Sequence, residues 1–308
     1  MICGILAGIT WAAETVLIGI ALAMTPFVTS AEAMFIAPFV STFIHDAASA
    51  IYMLLYNGTG RNLGAVLSVC RTRSFKFLVL SSAIGGPVGM TGYVLAVRYM
   101  GASVGAVASA VYPAIGSVLA YFFLKENIRR SQWMFLAVTL LGVFGLSYSS
   151  DLDITNFWLG LTGILMCSFG WGIEGVILSK CLSEADIKCE YALQIRQTVS
   201  ALIYGIVVLP LLEAGRFTLG LFSCDGISAV GTIAAAAFFA TVSYLCYYHA
   251  IAKLGVAKAM GLNITYTAWA VVFSVIFLRD YAILNPRTII CAVLVVVCGI
   301  FAAVDFRR

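Results

Sequence analysis

Runs of about 20 apolar residues, repeated along the whole chain, constrain this fold more than any other feature, because a helix of that length crosses a bilayer. Of the 308 residues, 62% are hydrophobic and 10% are charged, whereas soluble domains average about 45–50% and about 25%. We therefore predict an all-α integral membrane protein with ten transmembrane helices, and we exclude a soluble enzyme, a nucleic-acid-binding domain and a disordered chain. The ten runs lie near 2–23, 33–56, 75–97, 103–124, 131–149, 157–179, 190–212, 227–251, 258–278 and 286–304.

Basic residues predict the orientation of these spans. With the N-terminus in the cytoplasm, most Lys and Arg residues fall in the inner loops, such as 57–74 and 125–130. Since positive loops stay inside, both termini are predicted to be cytoplasmic. The nine cysteines are odd in number, form no C-x-x-C motif and lie mostly in apolar runs. This pattern favours small buried side chains over disulfides or a metal site, and no cofactor is expected.

The two halves of the chain repeat each other. Residues 93–126 align without a gap on residues 247–280, with Tyr93 on Tyr247 and Tyr112 on Tyr266. We predict two five-helix halves, 1–150 and 151–308. Because five is odd, the second half enters the membrane inverted, which is typical of alternating-access transporters with a site near the midplane.

Ionisable residues inside the predicted spans are candidates for function, because each costs roughly 2.5–3.5 kcal/mol to insert. Three acids against one arginine favour a cationic ligand, although Arg196 bound to an acid as structural glue is an equal alternative. We interpret His249 as a packing residue, since its repeat partner is Leu95. The ionisable set is Glu14, His45, Asp46, Glu174, Arg196 and His249.

Aromatic residues share helix faces with two of these acids. Trp11 and Glu14 are three residues apart, as are Trp171 and Glu174, so each pair lies on one helix face. Aromatic rings around a carboxylate suit a quaternary ammonium group, although interfacial belts and simple packing are alternatives. The predicted substrate-binding residues are Trp11, Glu14, Trp171, Glu174, Tyr247, Tyr248, Asn263, Tyr266 and Trp269.

Several short runs resemble known transporters. Residues 114–126 are similar to the end of each half in the drug/metabolite transporter superfamily, EamA type. A closer similarity is to bacterial choline-uptake permeases that serve phosphorylcholine decoration of the cell surface. This resemblance implies choline import across the bacterial inner membrane. The runs that carry it are 45–46, 86–90, 109–115, 171–174, 195–197, 243–248 and 257–266.

The resulting hypothesis is a secondary transporter of a small organic cation, most closely choline, held in an aromatic cage. Glu174 is the expected counter-charge, and His45 and Asp46 are candidates for proton coupling. Arg196, with Gln197 beside it, is expected to hold one acid when substrate is absent. No G-x-x-x-x-G-K-[ST] motif occurs, so an ion gradient or exchange supplies the energy. The expected partners are this cation and the lipid bilayer, with a homodimer left open.

Two alternatives stay open at this stage. An exporter of amino acids or other metabolites has the same architecture and predicts that Arg196 faces the cavity to neutralise a carboxylate. An intramembrane serine protease is a remote alternative, because 101–105 fits G-x-S-x-G with Ser103 as nucleophile and His45 or His249 as base. The motif is weak, since Ser103 suits a helix N-cap and the repeat copy at 255–259 has no serine.

Overall fold

The computed structural model describes residues 1–100, 102–147, 154–184, 187–223, 226–279 and 281–304, with the side chains of 102–109 and 184 left aside. Every regular element in these ranges is helical. Residues 84–88, within α4, and 204–208, within α8, are single wide π turns, as is the stretch Ser274–Leu278 after α12. The helices are α1 Ile2–Leu22, α2 Ala31–Thr59, α3 Leu63–Val69, α4 Ser74–Met100, α5 Ala102–Phe123, α6 Arg130–Ser147, α7 Phe157–Glu184, α8 Cys189–Leu211, α9 Gly215–Gly220, α10 Ile227–Leu254, α11 Val256–Asn263, α12 Tyr266–Phe273 and α13 Pro286–Ala302.

Seven helical segments of the described chain are long and apolar enough to cross a membrane. Two shorter apolar helices, Ala110–Phe123 and Pro286–Ala302, accompany them. The protein is therefore a multi-pass membrane protein, as predicted, while the count of ten spans stays a prediction. The seven segments are Ile2–Leu22, Ala31–Thr59, Ser74–Met100, Phe157–Ser183, Cys189–Leu211, Ile227–Leu254 and Val256–Leu278.

Small residues bring the long helices close together. α1 packs along α10, and α4 packs along α7. At the second crossing, a Cβ at Gly92 would lie 2.6 Å from the backbone nitrogen of Cys167, so only glycine fits. Close backbone approach of this kind is the usual way for helices to associate in lipid.

A wide turn interrupts α4 at residues 84–88, where the sequence reads Ile-Gly-Gly-Pro-Val. Pro87 has no backbone N–H, which removes one helical hydrogen bond. The N–H of Gly89 reaches back to the carbonyls of Ile84 and Gly86. The carbonyl of Gly85 is thus left free for another donor, and π turns of this kind often mark functional sites.

The run predicted over 258–278 is broken into two helices, α11 and α12, at residues 264–265. The first turn of α11 is held by Glu126, whose carboxylate accepts the N–H of Val256 at 2.7 Å and of Ala257 at 3.2 Å. Gly255 precedes it with φ of 87°, a left-handed conformation that glycine tolerates. α11 is therefore a short helix anchored at its N-terminal end.

Two apolar clusters form the core of the bundle. One contains the fully buried side chains of Met53 and Met260, and the other those of Phe27 and Tyr204. α1, α2, α7 and α8 turn charged side chains inward. The fold therefore places its polar residues where water and lipid are both largely excluded.

A charged and aromatic cavity between the helices

A cavity of about 600 Å³ lies among α1, α2, α4, α7, α8 and α10. This volume is typical of a small-molecule site. The residues that line its middle are mostly aromatic or charged. They are Trp11, Glu14, His45, Asp46, Tyr93, Tyr112, Trp171, Glu174, Arg196, Tyr244, Tyr247, Tyr248, Asn263 and Tyr266.

The cavity reaches one end of the bundle. Leu22 at the end of α1, Ala31 at the start of α2 and Arg98 near the end of α4 all line it. Ala31 and Arg98 are exposed, and the Arg98 guanidinium lies 4.4 Å from the centre of the Phe35 ring. This end is the mouth of the cavity, and the charged residues lie deeper.

Five ionisable side chains form a continuous row along the cavity, which we call the charge row. The His45 Nε2 atom lies 3.7 Å from Glu14 Oε1, and its Nδ1 atom lies 2.9 Å from Asp46 Oδ1. Arg196 follows, with Nη1 3.6 Å from Asp46 Oδ2 and Nε 3.0 Å from Glu174 Oε1. Acids and bases therefore alternate from Glu14 to Glu174.

Burial makes the charge row costly to build. Asp46 is 2% exposed and Arg196 is 5% exposed. Charges so far from water are tolerated only when opposite charges and hydrogen bonds compensate them. Arg196 compensates Glu174 and Asp46 together, whereas Glu14 lies beside His45 and accepts a hydrogen bond from Thr15. The row as a whole keeps an excess of acid when His45 is neutral.

A second layer of polar residues fixes Arg196 from behind. Its Nη1 group donates to Gln197 Oε1 at 2.8 Å. Gln197 Nε2 then donates to Ser49 Oγ at 2.8 Å, and Ser49 is 2.6 Å from Thr241 Oγ1. Gln197 does not line the cavity. Its place in the predicted charge network is therefore that of a support for Arg196.

Trp171 forms one aromatic wall of the cavity, which we call the Trp171 face. Its ring is stacked near Tyr93, with centroids 6.3 Å apart, and meets Tyr112 edge-on at 5.8 Å. The indole N–H donates to the Gly85 carbonyl at 2.9 Å, using the acceptor that the π turn leaves free. A Cβ at Gly85 would overlap the Glu174 carboxylate, so the glycine also makes room for that acid.

Trp11 forms the opposite wall, the Trp11 face. Tyr244 meets it edge-on with centroids 5.0 Å apart, and Tyr266 does so at 6.4 Å. The Arg196 guanidinium lies over the Tyr244 ring at 4.6 Å. A cation of the protein thus already makes a cation–π contact with one of the cavity's aromatic rings.

Most of the predicted site residues meet in this one cavity. Trp269, however, is not among the residues that line it. α12 begins at Tyr266, and only Tyr266 of the pair points into the cavity. His249 also lies outside the lining, with Nδ1 2.8 Å from the Leu245 carbonyl. The Ser103 side chain lies outside the described residues, so the structure does not test the protease alternative.

Three lining tyrosines were absent from the predicted binding set. Tyr93 and Tyr112 complete the Trp171 face, and Tyr244 completes the Trp11 face. The repeat held the signal for two of them, because Tyr93 aligns with Tyr247 and Tyr112 with Tyr266. A residue predicted to bind substrate in one half therefore makes the aligned residue of the other half a candidate as well.

The fold is that of a multi-pass membrane protein, and its cavity has the volume of a small-molecule site. Residues 1–148 match the EamA-like transporter family, which confirms the resemblance to that superfamily. Protein LicB of Haemophilus influenzae is 31% identical over 192 residues, which cover 62% of this chain and 63% of LicB. The match thus spans less than two thirds of LicB. The family that matches residues 1–148 is a family of transporters.

A solved crystal structure of a protein also has the same overall fold. It superposes with a TM-score of 0.70 and covers 97% of this chain and 94% of its own. Its sequence identity is 15%, so the likeness concerns the fold alone.

Proposed function

We propose that this protein is a secondary active transporter that imports a small organic cation, most closely choline. The observation that carries the proposal is the cavity itself, where two tryptophan faces enclose a charge row richer in acid than in arginine. Aromatic faces and a nearby carboxylate attract a quaternary ammonium group, which cannot donate hydrogen bonds. The resemblance to choline-uptake permeases supports the same substrate.

Two carboxylates are available as counter-charge. Glu174, expected from the sequence, is bound by Arg196 at 3.0 Å. Glu14 lies 3.7 Å from His45 and faces no guanidinium. In the proposal, the cation meets Glu14 first and competes with Arg196 for Glu174. His45 and Asp46 then carry the proton that couples transport to a gradient.

The proposed architecture is two inverted five-helix halves, 1–150 and 151–308, with both termini in the cytoplasm of a bacterium. The helix contacts support it. α1 packs along α10 as α4 packs along α7, and α2 meets α10 as α4 meets α8. Each contact has the partner that exchange of the two halves requires. With this topology the cavity mouth at Arg98 faces outward, which suits uptake.

An exporter of amino acids or other metabolites is the second candidate, and one observation favours it. Arg196 lines the cavity, as that alternative predicts. It also binds Glu174 and Asp46, as the cation alternative predicts. The position of Arg196 therefore leaves the choice to a binding experiment.

The deciding experiment is thermal stabilisation of the purified protein by choline, acetylcholine, betaine and a panel of amino acids. A ligand specific for the folded state stabilises it by about 2.7 kcal/mol at a hundredfold excess over its dissociation constant. We expect choline to stabilise the wild-type protein and to fail with Trp171→Ala or Glu174→Gln. Trp158→Ala is the matched control, since Trp158 is 75% exposed and far from the lining.

The opposite result is equally clear. If choline has no effect while an amino acid raises the melting temperature, the cation proposal is wrong and the exporter stands. Stabilisation by choline that survives Trp171→Ala and Glu174→Gln unchanged would place the cation outside this cavity. Flux in proteoliposomes with and without a pH gradient then tests the proton coupling.

A further inference from the structure

Tyr112 and Asn263 form a polar pair beside the Trp171 face. Tyr112 belongs to α5, and Asn263 is the last residue of α11. Both line the cavity, and they are 6% and 8% exposed. The Asn263 side-chain N–H donates to the Tyr112 hydroxyl at 3.0 Å. The pair therefore joins the two halves of the chain at the cavity wall.

The hydrogen bonds of this pair are incomplete in a specific way. Asn263 Oδ1 is buried and has no hydrogen-bond partner among the described residues. The Tyr112 hydroxyl accepts from Asn263, while its own proton has no acceptor in the described chain. One acceptor and one donor are thus left over, side by side. A buried polar group without a partner is costly, so a ligand that satisfies both is favoured.

An alcohol hydroxyl has the matching chemistry, because it donates one hydrogen bond and accepts others. We propose that Tyr112 and Asn263 recognise the hydroxyl group of the transported cation and make the protein selective for hydroxyl-bearing ammonium compounds. Asn263 Oδ1 accepts the substrate proton, and the Tyr112 hydroxyl donates to the substrate oxygen. This inference rests on the proposed function and deepens it by assigning the second end of the substrate.

The Tyr112–Asn263 pair adjoins the Trp171 face. The Tyr112 ring meets Trp171 edge-on with centroids 5.8 Å apart. The Tyr112 hydroxyl, which we propose binds the substrate hydroxyl, is thus attached to a ring of the Trp171 face. A cation held on that face reaches the pair through a short spacer, such as the two carbons that separate nitrogen from oxygen in choline.

Position in the cavity, and not the unsatisfied oxygen alone, distinguishes Asn263. Asn57 is also fully buried with an unpartnered Oδ1, and its Nδ2 donates to the Glu190 carbonyl at 3.4 Å. Asn57 does not line the cavity. It therefore provides a matched control with the same side chain, burial and missing partner.

The test compares choline with ethyltrimethylammonium, which has a hydrogen in place of the hydroxyl group. Equilibrium competition against labelled choline on the purified protein gives both affinities. We expect wild type to bind choline roughly tenfold more tightly, the ratio that one well-formed hydrogen-bonded group supplies. Tyr112→Phe keeps the ring against Trp171 and removes only the hydroxyl. Tyr112→Phe and Asn263→Ala should each reduce the tenfold preference for choline over ethyltrimethylammonium to about one.

The outcomes separate this inference from the proposed function. If wild type binds neither cation, the proposed function fails and the inference fails with it. If wild type binds both cations equally, the proposed recognition of the hydroxyl group by Tyr112 and Asn263 is wrong, while the proposed function stands. A tenfold preference that persists in Tyr112→Phe also overturns the inference, even where Asn263→Ala does not fold. Asn57→Ala should keep the full preference, and its loss there would make the effect structural.

Discussion

The Trp11 face and the Trp171 face are the same design with different electrostatics. Each begins with a tryptophan and a glutamate three residues apart, and each tryptophan contacts two tyrosines. Glu14 meets His45, whereas Glu174 meets Arg196. With an offset of 151 residues between the halves, His45 falls on Arg196 and Asp46 falls on Gln197. The residue that meets the glutamate therefore differs between the two faces.

The difference has a simple physical meaning. Arginine stays charged at every physiological pH, while histidine changes charge near neutrality. The Trp171 face thus keeps a fixed compensating cation beside its acid. On the Trp11 face, the charge of Glu14 is compensated when His45 is protonated. If the halves alternate during transport, the two faces contribute unequally to binding and to coupling.

Removing the fixed cation should give the largest effect. Arg196→Met leaves Glu174 and Asp46 buried without their partner, which costs about 3–5 kcal/mol of unfolding free energy. Thermal unfolding in detergent measures this. The control is Arg98→Met at the exposed mouth, where less than about 1 kcal/mol is expected. Equal stability of Arg196→Met and wild type would show that the charge row does not need the guanidinium.

The tryptophans should matter next, and on both sides of the cavity. Trp11→Ala and Trp171→Ala should each weaken choline binding by at least tenfold, since a desolvated cation–π contact contributes about 2 kcal/mol. Binding assays compare both with Trp158→Ala, which should bind normally. If only one of the two substitutions weakens binding, the cation contacts that tryptophan face alone. The two faces then have different roles.

Making the faces electrostatically alike should abolish pH dependence. His45→Arg places a permanent cation beside Glu14, so choline binding should fall by roughly tenfold or more at every pH. In wild type, binding should weaken as the pH falls through the range in which His45 takes up its proton, because protonated His45 adds positive charge to a cation site. His45→Gln should bind choline with a flat pH profile. A wild-type profile without slope would remove His45 from the coupling step.

The support behind Arg196 should give the smallest effect. Ser49→Ala removes the hydroxyl between Gln197 and Thr241, which should cost about 1 kcal/mol of stability. Ser117→Ala is the matched control, because Ser117 is fully buried and its hydroxyl has no partner in the described chain. Equal unfolding temperatures for the two variants would mean that the second layer does not stabilise Arg196.

Much of the fold was predictable because membrane crossing demands long apolar runs. The first helix was expected over 2–23 and is found at Ile2–Leu22. The break at 264–265 was not predictable, since neither Pro nor Gly lies there. The Glu126 cap at the start of α11 was not predictable either, because local sequence does not encode a partner that is 130 residues away.

The site was predictable in composition and only partly in geometry. Residue type and depth within the predicted spans identified both Trp–Glu pairs, and all four residues line the cavity. Trp269 was assigned with Tyr266 on helical spacing, yet it stands outside the lining, because a shared face does not fix which side meets a cavity. The choice of Glu174 rather than Glu14 as the partner of Arg196 likewise depends on how α7 meets α8.

The hydrogen bond from Trp171 to the Gly85 carbonyl has a thermodynamic consequence. An indole with a fixed N–H partner has lost its rotational freedom before any substrate arrives. Ordering a side chain during binding costs about 0.5–1.5 kcal/mol of binding free energy. The Trp171 ring is already ordered in the folded protein, so binding does not incur this cost there. Because the carbonyl is free only while α4 keeps its wide turn, a change of helical register there would release the ring and lower affinity.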